Sequence, residues 1–323
     1  MQEPRPRRSA WVFWARVLVA LIGLGALAWT IYDAGPDRIA EILPRAAPWI
    51  PLAIALEGVR IGFDALATRM VLGERGREIP FRSLYIAQVA GNGVMGVSPA
   101  GRSASEAVKA MLLSGWVKPQ VAIAMGATNQ ANVLISSALF SLLCLAGAHV
   151  ATGDLQLDIA IAIHFVVLLA SGVGMRVAAT HPGIERRLAH RFPALAERAR
   201  LFHEASRDIP LLAIGPIAAM AMGRAVQTVQ YAVMAYSVGI SMSVAAALAV
   251  QGVNLVAAAV GVATPGQLGT AELVFRLAAD ALGTDPANAT SIALVARVPQ
   301  FLWIGVGLLT LLVWRARRNV GTG

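Results

Sequence analysis

Apolar runs of about 20 residues, the length a helix needs to cross a hydrocarbon layer roughly 30 Å thick, recur from residue 11 to residue 314 with only short polar breaks. Such a chain has too little polar surface to face water on all sides. The reading is an all-α polytopic membrane protein, with the bilayer as its solvent. Composition agrees: 57% of residues are hydrophobic, 14% are charged and mean hydropathy is +0.65, where a soluble domain carries about a quarter charged residues. The formal charge of +9 does not mark a nucleic-acid surface. The arginines gather at the ends of apolar runs, as they do in loops retained in the cytoplasm. The single cysteine, Cys144, lies in an apolar run and builds neither a disulfide framework nor a metal site.

The first 30 residues allow two readings. Arg5, Arg7 and Arg8 precede an apolar stretch, and Ala26-Leu27-Ala28 looks like a cleavage site. The stretch is nevertheless long enough to span, with Trp11, Trp14 and Trp29 at interface positions. A retained first span over 11–32 is expected, with a signal anchor as the weaker reading.

Further spans are expected at about 48–72, 119–147, 159–180, 210–238 and 289–314. Arg75, Arg77 and Arg82 mark one cytoplasmic turn, and Arg315, Arg317 and Arg318 close the chain. The only long polar stretch, 181–208, reads as a cytoplasmic linker that lies as an amphipathic helix on the inner leaflet, because Leu188, Phe192 and Leu195 recur at helical spacing among arginines. Both termini then face the cytoplasm, which requires an even number of crossings. Loops 149–158 and 283–288 carry no Lys or Arg and face outward.

Two segments break this regularity, at about 83–116 and 243–282. Each arm of the first has about 14–16 residues, or roughly 21–24 Å of helix, short of a full crossing. A re-entrant hairpin fits better than two spans, although the arm at 243–262 is long enough to cross. Non-helical backbone survives at membrane depth only where protein or a water-filled cavity surrounds it. The two breaks also repeat one another. Ser98-Pro99-Ala100 matches Thr264-Pro265-Gly266, and Glu106 and Glu272 each follow the proline by seven residues. Lys109 and Arg276 follow the glutamates within a turn. Gln88 and Asn92 precede one tip, Gln251 and Asn254 the other. The expectation is a single integral membrane domain over 1–323, with about six full transmembrane helices and two opposed re-entrant hairpins. Its first repeat covers 48–147 with hairpin 83–116. Its second, inverted, covers 210–314 with hairpin 243–282. That layout is a secondary-transporter architecture.

An ionisable residue inside a membrane is costly and marks a functional site by default. Glu106 with Lys109 and Glu272 with Arg276 share helical faces, as internal ion pairs or as groups that meet substrate. Arg102 sits at a hairpin tip with no local partner, where its planar fork suits a phosphate or carboxylate. Ser103 or Ser105 is placed to cap the following helix. Together with Ser98, Thr264, Gln267, Arg224 and Arg297, these residues form the expected substrate-binding set for an anionic head group. Glu57, Arg60 and Asp64 lie on one face of a span, and Asn129 and Gln130 form a polar cluster in another; all five are expected to support the site. No paired histidine spacing, Gly-rich phosphate loop or serine nucleophile motif points to a metal, a cofactor or an enzyme. A buried glutamate serving proton coupling is the more plausible chemistry.

These motifs resemble those of the lysylphosphatidylglycerol synthase transmembrane family, also called flippase-like membrane proteins. Pro99-Ala100-Gly101-Arg102 and Glu106-Ala107-Val108-Lys109 approximate its first motif, with extra residues before the glutamate. Pro265-Gly266-Gln267-Leu268-Gly269-Thr270-Ala271-Glu272 matches its second, Pro-Gly-Gly-x-Gly-x-x-Glu, with Gln267 for the second glycine. The resemblance covers about residues 10–315 and implies handling of anionic or isoprenoid-derived lipids between leaflets of a bacterial inner membrane. Some members carry a soluble aminoacyl-transfer domain, which has no counterpart before Gly323. The partner implied is a phospholipid or other membrane lipid, and a homo-oligomer is compatible with such a chain. The rival readings are an intramembrane lipid-modifying enzyme, with Glu106 or Glu272 as acid–base group, and a non-transporting membrane scaffold.

Overall fold

Prolines and one serine set where the helices begin. In the computed structural model, which describes residues 25, 27–33, 35–98, 101–180, 213–264 and 267–320, Pro36 opens α1 (Pro36–Ala46) and a 3₁₀ turn over Ala47–Trp49 leads into α2 (Ile50–Val71). Proline suits the first helical turn because its missing N–H would have no partner there. A short α3 (Glu74–Glu78) turns the chain into α4 (Phe81–Val97) and α5 (Gly101–Leu112). Pro119 then opens α6 (Pro119–Thr152), which ends where Gly153 takes a left-handed conformation and donates back to His149 O. It connects to α7 (Leu155–Thr180). The expected linker at 181–208 lies outside the described residues, as do Pro99, Pro265 and nearly all of the first expected span; residues 27–33 are helical.

The second half holds α8 (Ile214–Ser237), α9 (Val244–Val260), α10 (Thr270–Leu277) and α11 (Pro286–Val320). The Ser243 side chain caps α9 by accepting from Ala246 N at 3.1 Å. The chain is an all-α integral membrane protein, and α6, α7 and α11 are long and apolar enough to cross a bilayer. The arm expected at 268–282 is helical only to Leu277; the chain then turns, with Gly283 at φ 64°. The arms α4, α5, α9 and α10 have 17, 12, 17 and 8 residues, roughly 12–26 Å at 1.5 Å per residue, each shorter than the hydrocarbon layer.

The two tips share a backbone. Ser98 sits at φ −91°, ψ 131° and Thr264 at φ −93°, ψ 128°. Three residues on, Gly101 (φ 45°) donates to Ser98 O at 2.8 Å, and Gln267 (φ 58°) donates to Thr264 O at 3.0 Å. Helix packing shows the same correspondence. α6 packs on α9 and α11 on α4, so each helix that follows one broken pair rests on the first arm of the other. α2 packs on α8 and the two run antiparallel: Gln230 Nε2 donates to Ala53 O at 3.0 Å, while Gly223 faces Arg60 and Gly215 faces Met70.

Small residues make these crossings possible, since apolar lipid gives helices no hydrophobic reason to associate and close packing must hold them. A Cβ on Gly307 of α11 would lie 2.3 Å from Val89 O of α4, and one on Gly147 of α6 would lie 2.4 Å from Leu248 Cβ of α9.

Candidate functional site

α2, α4, α5, α6, α8 and α9, with Gln267 and the middle of α11, enclose a polar cavity of about 210 Å³. Within a protein so poor in charge, its wall holds four basic side chains (Arg60, Arg102, Lys109, Arg224) and three acidic ones (Glu57, Asp64, Glu106). Two of the cations, Arg60 and Lys109, are paired with carboxylates, and a third, Arg224, is bound by neutral oxygens. Arg60 lies between two carboxylates of its own helix, donating to Glu57 Oε1 at 2.7 Å and Asp64 Oδ2 at 2.9 Å. That bracket follows from the i, i+3, i+7 spacing on α2. Lys109 Nζ donates to Glu106 Oε1 at 2.5 Å and to Gln88 Oε1 at 3.1 Å. Arg224 donates to Gln227 Oε1 at 2.8 Å and Ser137 Oγ at 3.0 Å, and has no carboxylate partner among the described residues.

Arg102 differs. It lines the cavity one residue beyond the first tip and makes no hydrogen bond or ion pair with a described residue. The second carboxylate oxygen of Glu106, Oε2, is buried without a hydrogen-bond partner. It faces α6 at Gly126, where a Cβ would come within 3.4 Å.

Of the expected set, Arg102, Ser105, Glu106, Lys109, Arg224 and Gln267 line this cavity, as do Glu57, Arg60, Asp64 and Asn129. Ser98, Thr264, Glu272, Arg276, Arg297 and Gln130 do not. Glu272 is fully buried and held by Arg297, whose Nε donates to Oε1 at 2.7 Å and Nη2 to Oε2 at 3.0 Å. The same guanidinium donates to Gln267 O at 2.7 Å and Gln300 Oε1 at 3.1 Å. Arg297 therefore fastens the second tip to α11 and is not free for a ligand. Nor is Arg276 the partner of Glu272. It reaches outward to pair with Asp33 and to lie 4.7 Å over the Trp29 ring. Glu272 and Arg276 part because α10 packs one face against α11 and ends one residue after Arg276.

Neutral and aromatic wall residues escaped the sequence argument: Thr68, Ser136, Gln230, Tyr231 and Trp303. Their signal was faint. Gln227, Gln230, Tyr231 and Met234 fall at helical spacing along α8, but that pattern also describes helix–helix packing.

Compared with known proteins, residues 13–316 match the family model described as the lysylphosphatidylglycerol synthase TM region. No curated protein and no solved structure matches the chain.

Proposed function

Because the chain belongs to the family of the lysylphosphatidylglycerol synthase TM region, and is an integral membrane protein of a lipid-related family, we propose that its polar cavity takes the anionic head group of a membrane lipid and that the protein moves such a lipid between leaflets. One observation carries this reading. Arg102 stands in the cavity wall, attracted by the Asp64 and Glu106 carboxylates but in hydrogen-bond or ion-pair contact with no described residue. An arginine at membrane depth is expensive unless something meets its charge, and a phosphate meets it with two parallel hydrogen bonds. Arg224, bound only to neutral oxygens, offers a second cation to the same ligand.

The matching tips and the exchanged helix contacts support a duplicated unit, with α4–α5 and α9–α10 as opposed hairpins. The proposed layout has repeats at 48–147 and 210–314 joined by a cytoplasmic linker over 181–208. Both termini then lie in the cytoplasm of a bacterial cell. Ser105, Glu106 and Lys109 complete the proposed head-group site, with Glu57, Arg60, Asp64 and Asn129 supporting it.

The test is lipid scrambling by the purified protein in liposomes, combined with Arg102→Gln. Losing one charge-assisted contact should weaken binding of an anionic phospholipid about ten- to a hundredfold and slow scrambling, with the melting temperature unchanged. Unchanged binding with lost thermal stability would make Arg102 a structural residue and remove the main support for the reading.

A further inference from the structure

The second tip carries a residue at odds with its backbone. Gln267 stands at φ 58°, where the first tip has Gly101 at φ 45°. A non-glycine residue held at positive φ is strained, and such strain gathers at binding sites. Three hydrogen bonds hold it there. Gln267 N donates to Thr264 O at 3.0 Å, and Gln267 O accepts from Thr270 Oγ1 at 2.9 Å and from Arg297 Nη2 at 2.7 Å. The side chain is left out of this arrangement. Gln267 lines the polar cavity, and its amide makes no hydrogen bond with a described residue.

The stem of that side chain has been given room. A Cβ on Gly261, just past α9, would lie 2.9 Å from Gln267 Cβ and 3.0 Å from its Cγ. Counted from the two prolines, the first tip has the reverse arrangement, with Met95 in the place of Gly261 and Gly101 in the place of Gln267. Each tip thus sends one long side chain to the cavity, Met95 from one and Gln267 from the other. Met95 has no hydrogen to donate, so only the second tip offers an amide from this place.

The charge of the wall says what kind of group that amide meets. Basic side chains in it outnumber acidic ones by one, which the single negative charge of a phosphodiester neutralises. The acids are already engaged. Glu57 and Asp64 bracket Arg60, Glu106 Oε1 accepts from Lys109, and Glu106 Oε2 is buried against α6. That favours a head group without an ammonium. An uncharged amide, which both donates and accepts, suits an uncharged hydroxyl.

We propose that Gln267 is a specificity-determining residue of this site, its amide hydrogen-bonding a hydroxyl of an uncharged, hydroxylated head group while Arg102 meets the phosphodiester. The proposal rests on the head-group reading above and adds which head groups the cavity prefers.

The experiment measures binding of three lipids with the same chains to the purified protein in detergent. They are dioleoylphosphatidylglycerol, dioleoylphosphatidylmethanol, which has the same single charge and no hydroxyl, and phosphate-free dioleoylglycerol. The unaltered protein should bind phosphatidylglycerol about two- to tenfold more tightly than phosphatidylmethanol, the share of one neutral hydrogen bond. Two variants remove the amide: Gln267→Gly, which relieves the strained backbone, and Gln267→Met, which keeps a stem of similar length against Gly261. Both should bring phosphatidylglycerol affinity down to that of phosphatidylmethanol and leave phosphatidylmethanol affinity as it was. A preference for phosphatidylglycerol that persists in either variant overturns the assignment, as does an unaltered protein that binds the two phospholipids equally. Equal loss of both affinities also overturns it, since Gln267 would then serve the fold or the phosphate. If the unaltered protein binds neither phospholipid more tightly than dioleoylglycerol, the head-group reading itself fails, and the role of Gln267 falls with it.

Discussion

Gln267 holds a backbone conformation that suits another residue. At φ 58° it is the one non-glycine residue at positive φ among those described, and a side chain there costs about 1–2 kcal/mol. The family motif it resembles has glycine at this place, and the first tip has Gly101 there, at φ 45°. Gln267→Gly should therefore raise the protein's stability by up to about 1 kcal/mol, once the greater freedom of glycine in the unfolded chain is set against the relieved strain. Thermal unfolding in detergent measures this, and a lower melting temperature would show that the Gln267 side chain does more for the fold than its backbone costs. Glu272 predicts the opposite sign. It is fully buried against Arg297, and taking one charge from such a pair strands the other, at a cost of about 3–5 kcal/mol. Glu272→Gln should melt well below the unaltered protein, and Glu272→Gln with Arg297→Gln should recover part of the loss.

Among the elements, the broken pairs were legible because short arms, a proline and a glutamate seven residues on leave a pattern that survives without tertiary information. The same turn closes both tips. Cavity charges on single helices were legible too, since Arg60 finds Glu57 and Asp64, and Lys109 finds Glu106, within one or two turns. Contacts that cross the fold were not. Arg276 meets Asp33 from 243 positions away, and Arg297 meets Glu272 on a different helix; helical spacing cannot announce either. Tyr231 and Trp303 line the cavity, yet in sequence they look like any aromatic residue of an apolar run. The α4–α11 crossing has a sharper consequence. Gly93 and Gly307 face each other so closely that a Cβ on Gly307 would lie 2.3 Å from Val89 O and 2.8 Å from Gly93 N. These are backbone atoms, which cannot swing aside. Gly307→Ala should cost about 1–3 kcal/mol by overpacking, read as a lower melting temperature. Gly305→Ala, where a Cβ meets nothing within 4 Å, serves as the control.

For the whole molecule, the arrangement of ends fixes which loops share a side. Arg38 pairs with Asp285 at 3.5 Å and Arg276 pairs with Asp33, so the start of α1 and the α10–α11 connection lie together. The N-terminal end of α2 joins them, because Trp49 meets Tyr236 near the C-terminal end of antiparallel α8. The opposite end of α2 runs into Arg69, Arg75 and Arg77, and in the proposed layout these basic residues hold that side in the cytoplasm. Two antiparallel helices, α2 and α8, occupy equivalent places before the two broken pairs, which fits the proposed layout of opposed halves with one tip approached from each side. The α10–α11 connection should therefore face outward. A cysteine placed by Thr284→Cys should react with a membrane-impermeant maleimide in intact cells, and one placed by Glu74→Cys should react only after the membrane is opened. Cys144 is fully buried, so the native thiol adds no background. Labelling of Glu74→Cys in intact cells, with Thr284→Cys protected, would reverse the orientation and move the polar cavity's Arg102 to the outward-facing hairpin.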